Sequence, residues 1–170
     1  MLRIPLHLVL GTTLALLLPG AVLAHGTEDH SHAATSDPGY AASSTGTRSL
    51  TLGPVSIKML AETANLGRGD VEVGELILPV GSGESVPHQH GSLEMFYVVE
   101  GVLGHEVNGT PNRLEPGDLG IVRPGDTVKH AVLSDVPVKA VVIWVPGGEA
   151  NRLIEHAGFV ATPLGGAAAE

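Results

Sequence analysis

Between residues 49 and 160 the apolar side chains fall in short β-branched runs, most of them closed by glycine or proline, and few stretches keep a helical period. Short alternating runs bounded by turn residues are the pattern of strands with one buried face. They predict strands at Leu50–Leu52, Val55–Leu60, Val71–Leu78, Val86–His90, Glu94–Val99, Gly104–Val107, Asp118–Val122, Lys129–Leu133 and Val138–Val145. Asn108-Gly109, Pro116-Gly117, Pro124-Gly125 and Pro146-Gly147-Gly148 lie between them, as tight turns require. Only Asn151–Ala157 reads as one or two turns of helix. Many short strands with almost no helix predict an all-β jelly roll.

The flanks follow other patterns. Arg3 leads into the apolar run Leu6–Leu18 and then into Val22-Leu23-Ala24, which predicts a signal peptide over residues 1–24 cut after Ala24. The alternative is an uncleaved anchor, but Pro5, His7, Pro19 and Gly20 shorten the apolar stretch below the roughly 20 residues that a spanning helix needs. The expected location is therefore the periplasm or the exterior, with no membrane contact after cleavage. Residues 25–48 are rich in Ser, Thr, Ala, Gly and His without hydrophobic period, and read as a disordered linker; residues 161–170 read as a disordered tail. One domain remains, over residues 49–160.

Composition narrows the function. A chain of 170 residues with net charge −9 and no basic run argues against nucleic acid or an anionic membrane as partner. It has no cysteine, so any metal must be held by nitrogen and oxygen.

His88 and His90 alternate around Gln89, so on an extended strand both imidazoles face the same side. Glu94 follows a short excursion, and His130 begins a later strand after a Pro-Gly turn. The residues after Glu94, Met95-Phe96-Tyr97-Val98-Val99, belong in a core, and a carboxylate entering a core needs a strong partner. The reading is one divalent transition metal, Fe, Mn, Ni, Cu or Zn, on His88, His90, Glu94 and His130. If the geometry is octahedral, two positions stay open for a ligand.

These spacings resemble the two motifs of the cupin superfamily over roughly residues 70–145. The first motif, Gly-x5-His-x-His-x3,4-Glu-x6-Gly, is met by His88-x-His90-x3-Glu94-x6-Gly101, with Ser82 in the slot of the leading glycine. In the second, six residues separate Gly117 from Pro124, five separate Pro124 from His130, and Ser134 stands where the family has Asn. The resemblance implies a double-stranded β-helix barrel, a central metal, a small-molecule ligand or substrate and often a homodimer. It also implies a choice between a metalloenzyme of dioxygenase, isomerase or lyase type, with Glu94 or a metal hydroxide as the catalytic proton acceptor, and a binding module without turnover.

Other residues invite lesser readings. His25, His30 and His32 could form an amino-terminal metal site, although a flexible linker is the plainer account. Counting from Glu94 turns Phe96 toward the metal face and Tyr97 away from it. Arg123 and His105 are candidates for the pocket wall, Trp144 for the core, and Asn108-Gly109-Thr110 reads as a hairpin turn rather than a glycosylation site.

Overall fold

The computed structural model describes residues 46–165. The expected signal peptide, residues 25–45 with His25, His30 and His32, and residues 166–170 lie outside them. In chain order the elements are β1 (Arg48–Leu52), β2 (Val55–Ala61), α1 (Thr63–Leu66), β3 (Glu72–Leu78), β4 (His88–Gln89) and β5 (Leu93–Glu100). There follow β6 (Leu103–Val107), β7 (Thr110–Leu114), β8 (Leu119–Val122), β9 (Thr127–Val132), β10 (Val138–Val145), α2 (Glu149–Ala157) and β11 (Val160–Pro163).

Two antiparallel sheets carry the fold, one in the order β11-β1-β2-β3-β10-β5-β8 and the other β4-β9-β6-β7. The inward faces follow the predicted alternation. Strand β10 buries Val138, Ala140, Val142 and Trp144, and β5 buries Glu94, Phe96 and Val98. Leu50, Ile57, Met59, Leu76 and Leu103 complete the packed interior, each fully buried side chain of this kind contributing about 1.5–3 kcal/mol relative to exposure. The fold is the double-stranded β-helix jelly roll that the strand pattern and the resemblance point to.

Several local expectations need correction. The strand expected at Val86–His90 is ordered only at His88–Gln89, because Pro87 brings no N–H to a ladder. Strand β7 was not foreseen: its sequence TPNRL has no buried position, and it is held by the two-residue turn Asn108 (φ 51°) and Gly109 (φ 78°) that pairs Val107 with Thr110. Helix α2 starts at Glu149, two residues before the expected start. Residues 161–163 are not a loose tail but pair with β1, and Gly46 and Thr47 exchange backbone hydrogen bonds with Leu164. The domain thus reaches beyond 49–160 at both ends.

Among the described residues, no helix is long and apolar enough to cross a membrane. Helix α2 closes on Gly158 (φ 79°), with the Phe159 N–H donating to Leu153 O at 3.2 Å, a left-handed helix end that suits glycine. Ala150 is buried in the core, and Leu153 and Ile154 pack against it, so the helix lies on the barrel.

Candidate functional site

The barrel opens into a cavity of about 610 Å³. Leu52, Ile57, Leu76, Leu78, Phe96 and Val142 form much of its wall, and His88, His90, Glu94 and His130 all line it. The four residues singled out in the sequence therefore share one cavity, although they come from β4, the turn after it, β5 and β9.

His90 and Glu94 are held most firmly. Trp144 lies opposite Glu94 across the β10–β5 ladder, and its indole Nε1–H donates to Glu94 Oε1 at 2.7 Å. A buried indole needs such an acceptor, and the bond leaves Oε2 of Glu94 free. His90 Nδ1 lies 3.1 Å from Glu149 Oε1. An ionised carboxylate only accepts, so the Nδ1 proton belongs to His90, and Nε2 is the nitrogen turned toward Glu94. The free ends, His90 Nε2 and Glu94 Oε2, stand 2.9 Å apart, yet neither makes an aligned hydrogen bond and both are buried.

With no ion present, the two flanking carboxylates favour the doubly protonated His90 ring, so an ion bound at Nε2 would displace a proton. Burial pulls His90 down, but the Glu149 hydrogen bond and the close, charged Glu94 more than offset it and raise its pKa to about 9. Burial pushes Glu149 up, and the His90 hydrogen bond, the His90 charge, the Gly91 amide and Arg152 together hold it below the usual carboxylate range.

His88 and His130 complete the floor. The His88 ring lies 4.9 Å from that of His90 and 5.5 Å from that of His130, centre to centre. The His88 Nδ1–H donates to Val86 O at 2.8 Å, which turns Nε2 into the lone-pair nitrogen. The altered second motif leaves His130 inward, because β9 alternates and buries Val128 and His130 together. Its backbone N–H donates to Ser85 Oγ at 2.8 Å, while its ring nitrogen Nε2 is buried without a partner. Burial, then the neighbouring His105, His88 and His90, drive its pKa well below the ordinary value.

His105 sits beside this set. It is opposite His130 in the β6–β9 ladder, the two rings stack at 5.2 Å, and neither ring nitrogen of His105 has an aligned partner. A Cβ at Gly120 would come within 2.6 Å of Leu114 Cδ1 and 3.1 Å of His105 Nε2, so glycine there makes room for both side chains. Arg123 is exposed in the turn before β9, and Tyr97 is 46% exposed while Phe96 is buried, the orientation that counting from Glu94 gives. Among the described residues, no group of three or more His, Asp or Glu side chains stands ready-made around one ion position. The atoms without partners, His90 Nε2, Glu94 Oε2 and His130 Nε2, are nonetheless of the donor types that a divalent transition ion takes.

Two residues of the site were missed. The apolar run of β10 marks Trp144 as core alone, although its N–H calls for a polar partner. Glu149 gave no signal: it follows Pro146-Gly147-Gly148 and lies 59 positions from His90.

A family model described as Cupin domain matches residues 74–146. Among solved structures, an RmlC-like cupin from Shewanella frigidimarina is 20% identical, with a TM-score of 0.53 over 66% of this chain and 94% of that one. The Cnp3 cupin domain of Schizosaccharomyces pombe is 16% identical with a TM-score of 0.51, over 62% of this chain and 74% of that one. KdgF from Halomonas sp. is 20% identical with a TM-score of 0.50, over 60% and 89%. These likenesses show the shared barrel. No curated protein matches the sequence.

Proposed function

We propose, from the match of residues 74–146 to the Cupin domain family, that the chain binds one divalent transition metal on the cavity floor and a small molecule above it. The observation that carries the reading is the convergence of His90 Nε2 and Glu94 Oε2 to 2.9 Å, both buried and both without an aligned hydrogen bond. Two buried atoms rich in lone pairs approach this closely at low cost only with a proton or a cation between them. His88 and His130 would supply the remaining donors, through the Nε2 atoms that their surroundings leave free. Fe, Mn, Ni, Cu and Zn all suit three imidazoles and one carboxylate. Such an ion supplies Lewis acidity toward a ligand oxygen.

The rest of the cavity then reads as a ligand chamber. Its apolar wall suits the body of the ligand, and the polar floor suits an oxygen-bearing end. In the enzymatic form of the proposal, which covers dioxygenase, isomerase and lyase chemistry, Trp144 fixes Glu94 at Oε1, and Oε2 would have to leave the ion to accept a proton from a bound molecule. A holder without turnover is the second reading. It is favoured by the lining itself: the buried titratable side chains are all in the floor or bound to it, while Glu84 and His156 lie at the exposed rim. Export directed by residues 1–24 belongs to the same proposal.

Elemental analysis of the purified full chain, followed by titration with each of the five ions, tests the metal reading. His25, His30 and His32 are replaced by Ala in the background. One ion per chain is expected, and its loss in His88→Ala and in His90→Ala. Unchanged binding in both variants would sink it.

A further inference from the structure

We propose that Glu149, at the start of α2, is a positioning residue that orients His90 and makes the docking of α2 part of the site. Glu149 is 2% exposed and accepts from three directions: His90 Nδ1 and the Gly91 amide at 3.1 Å each, and Arg152 Nε at 3.3 Å. The carboxylate therefore grips the ring and the backbone of the turn after β4 together. A ring held at Nδ1 by an acceptor can turn only one nitrogen, Nε2, into the cavity, and the turn's backbone cannot drift without breaking the second bond. Histidines that bind metals are commonly held this way, by an acceptor on the far nitrogen.

The consequence extends to the chamber. Leu153 and His156, which line the cavity, stand on the same helix as Glu149, so the helix that shapes the chamber also aims His90. A separate carboxylate helps to dock this helix. Glu72 of β3, 3% exposed, accepts the Ala150 N–H at 2.9 Å, whereas the His90 Nδ1 proton goes to Glu149. The two carboxylates thus separate aiming the ring from anchoring the helix.

The experiment compares the full chain with Glu149→Gln, Glu149→Asp and Glu72→Gln. The first readout needs no metal, and only the second rests on the metal reading. In protein labelled with ¹⁵N-histidine, a slowly exchanging His90 Nδ1 proton is expected in the parent and in Glu72→Gln, with exchange at least roughly tenfold faster in Glu149→Gln, since an amide cannot accept from both the ring and Gly91. The second readout is Zn(II) affinity, expected to fall about 10–100-fold in Glu149→Gln and to change little in Glu72→Gln. A protected Nδ1 proton in both Glu149 variants would overturn the assignment. So would an equal effect of Glu72→Gln on proton exchange, because Glu149 would then act only through helix docking. If Glu149→Gln fails to fold, Glu149→Asp, whose carboxylate is drawn back from the ring, carries both readouts. If the parent shows the protected proton but binds no Zn(II) or other ion, Glu149 stands as the holder of His90 and the metal reading falls.

Discussion

The two sides of the cavity floor are built on opposite principles. On the β4–β5 side, His90 and Glu94 are each pinned at one end, by Glu149 and by the Trp144 indole, and their free ends converge. On the β6–β9 side, His105 and His130 are stacked on each other and flanked by Phe96, and both ring nitrogens of His105 and Nε2 of His130 lack an aligned partner. The first side fixes charge in place through hydrogen bonds. The second keeps its imidazoles neutral through burial. A pinned donor loses little freedom when it binds an ion, whereas an unpinned one must be ordered by the ion itself.

The largest effect should therefore come from the pinned side. Glu94→Gln removes the one anionic group among the four proposed donors, and its cost in metal affinity should exceed the roughly 10–100-fold that loss of an outer partner brings. His130→Ala should cost less. Dissociation constants for the two variants, with His25, His30 and His32 replaced, check the order. A larger loss in His130→Ala would reverse the contrast between the two sides.

Next in size is Trp144→Phe. It keeps the ring in the core but deletes the N–H that satisfies Glu94 Oε1, leaving a buried carboxylate oxygen unpaired. A destabilisation of about 1–3 kcal/mol is expected from that loss, measured as the shift in urea unfolding of the metal-free protein. A change within error would mean that Glu94 finds another donor.

The contrast also sets the response to pH. His90 has its pKa raised from 6.5 in the unfolded chain to about 9 when folded, so its stabilisation is complete below 6.5 and is lost as pH rises through 9. His105 and His130 have lowered values in the fold, His105 by burial against the opposing pull of Glu94 and the Ile121 backbone, and His130 by burial and its neighbouring imidazoles. Their contribution is present above 6.5 and is lost as pH falls through the lowered values. Metal-free protein should thus weaken at both ends, with His90→Gln flattening the alkaline limb and His105→Leu the acid one. Urea midpoints taken across this range for the three proteins would show it, and an alkaline limb unchanged in His90→Gln would count against the pinned geometry.

What could be read from the sequence follows the same division. Strands with one buried face announce themselves by alternation, and so did β5 and β10, along with the His88–Gln89–His90 pair and the inward Glu94. Strand β7 and strand β11 carry almost no buried side chain, and their places are set by a turn and by an edge partner distant in the chain. The ligand candidates were legible because residue type and spacing express them locally. Their supports were not, because Glu149 and Trp144 meet His90 and Glu94 only through the closure of the barrel, 59 and 50 positions along the chain.

The smallest expected effect is the sharpest test of the unpinned side. His105 has the burial and the free nitrogens of a ligand, yet it is absent from the residues that line the cavity. It faces Phe96, His130 and the backbone at Gly120 instead. A buried imidazole that meets the Ile121 backbone without an aligned hydrogen bond bears most of the cost of its own desolvation, and replacing it with an apolar side chain of similar volume removes that cost. His105→Leu should therefore unfold at the same urea concentration as the parent or higher, and bind metal with an affinity within a few-fold of the parent. Calorimetric titration on the same preparation used for the unfolding curve separates the two effects. Preserved folding with a collapse in metal affinity would make His105 a ligand, and the β6–β9 side would then hold the ion through two stacked imidazoles rather than through His130 alone.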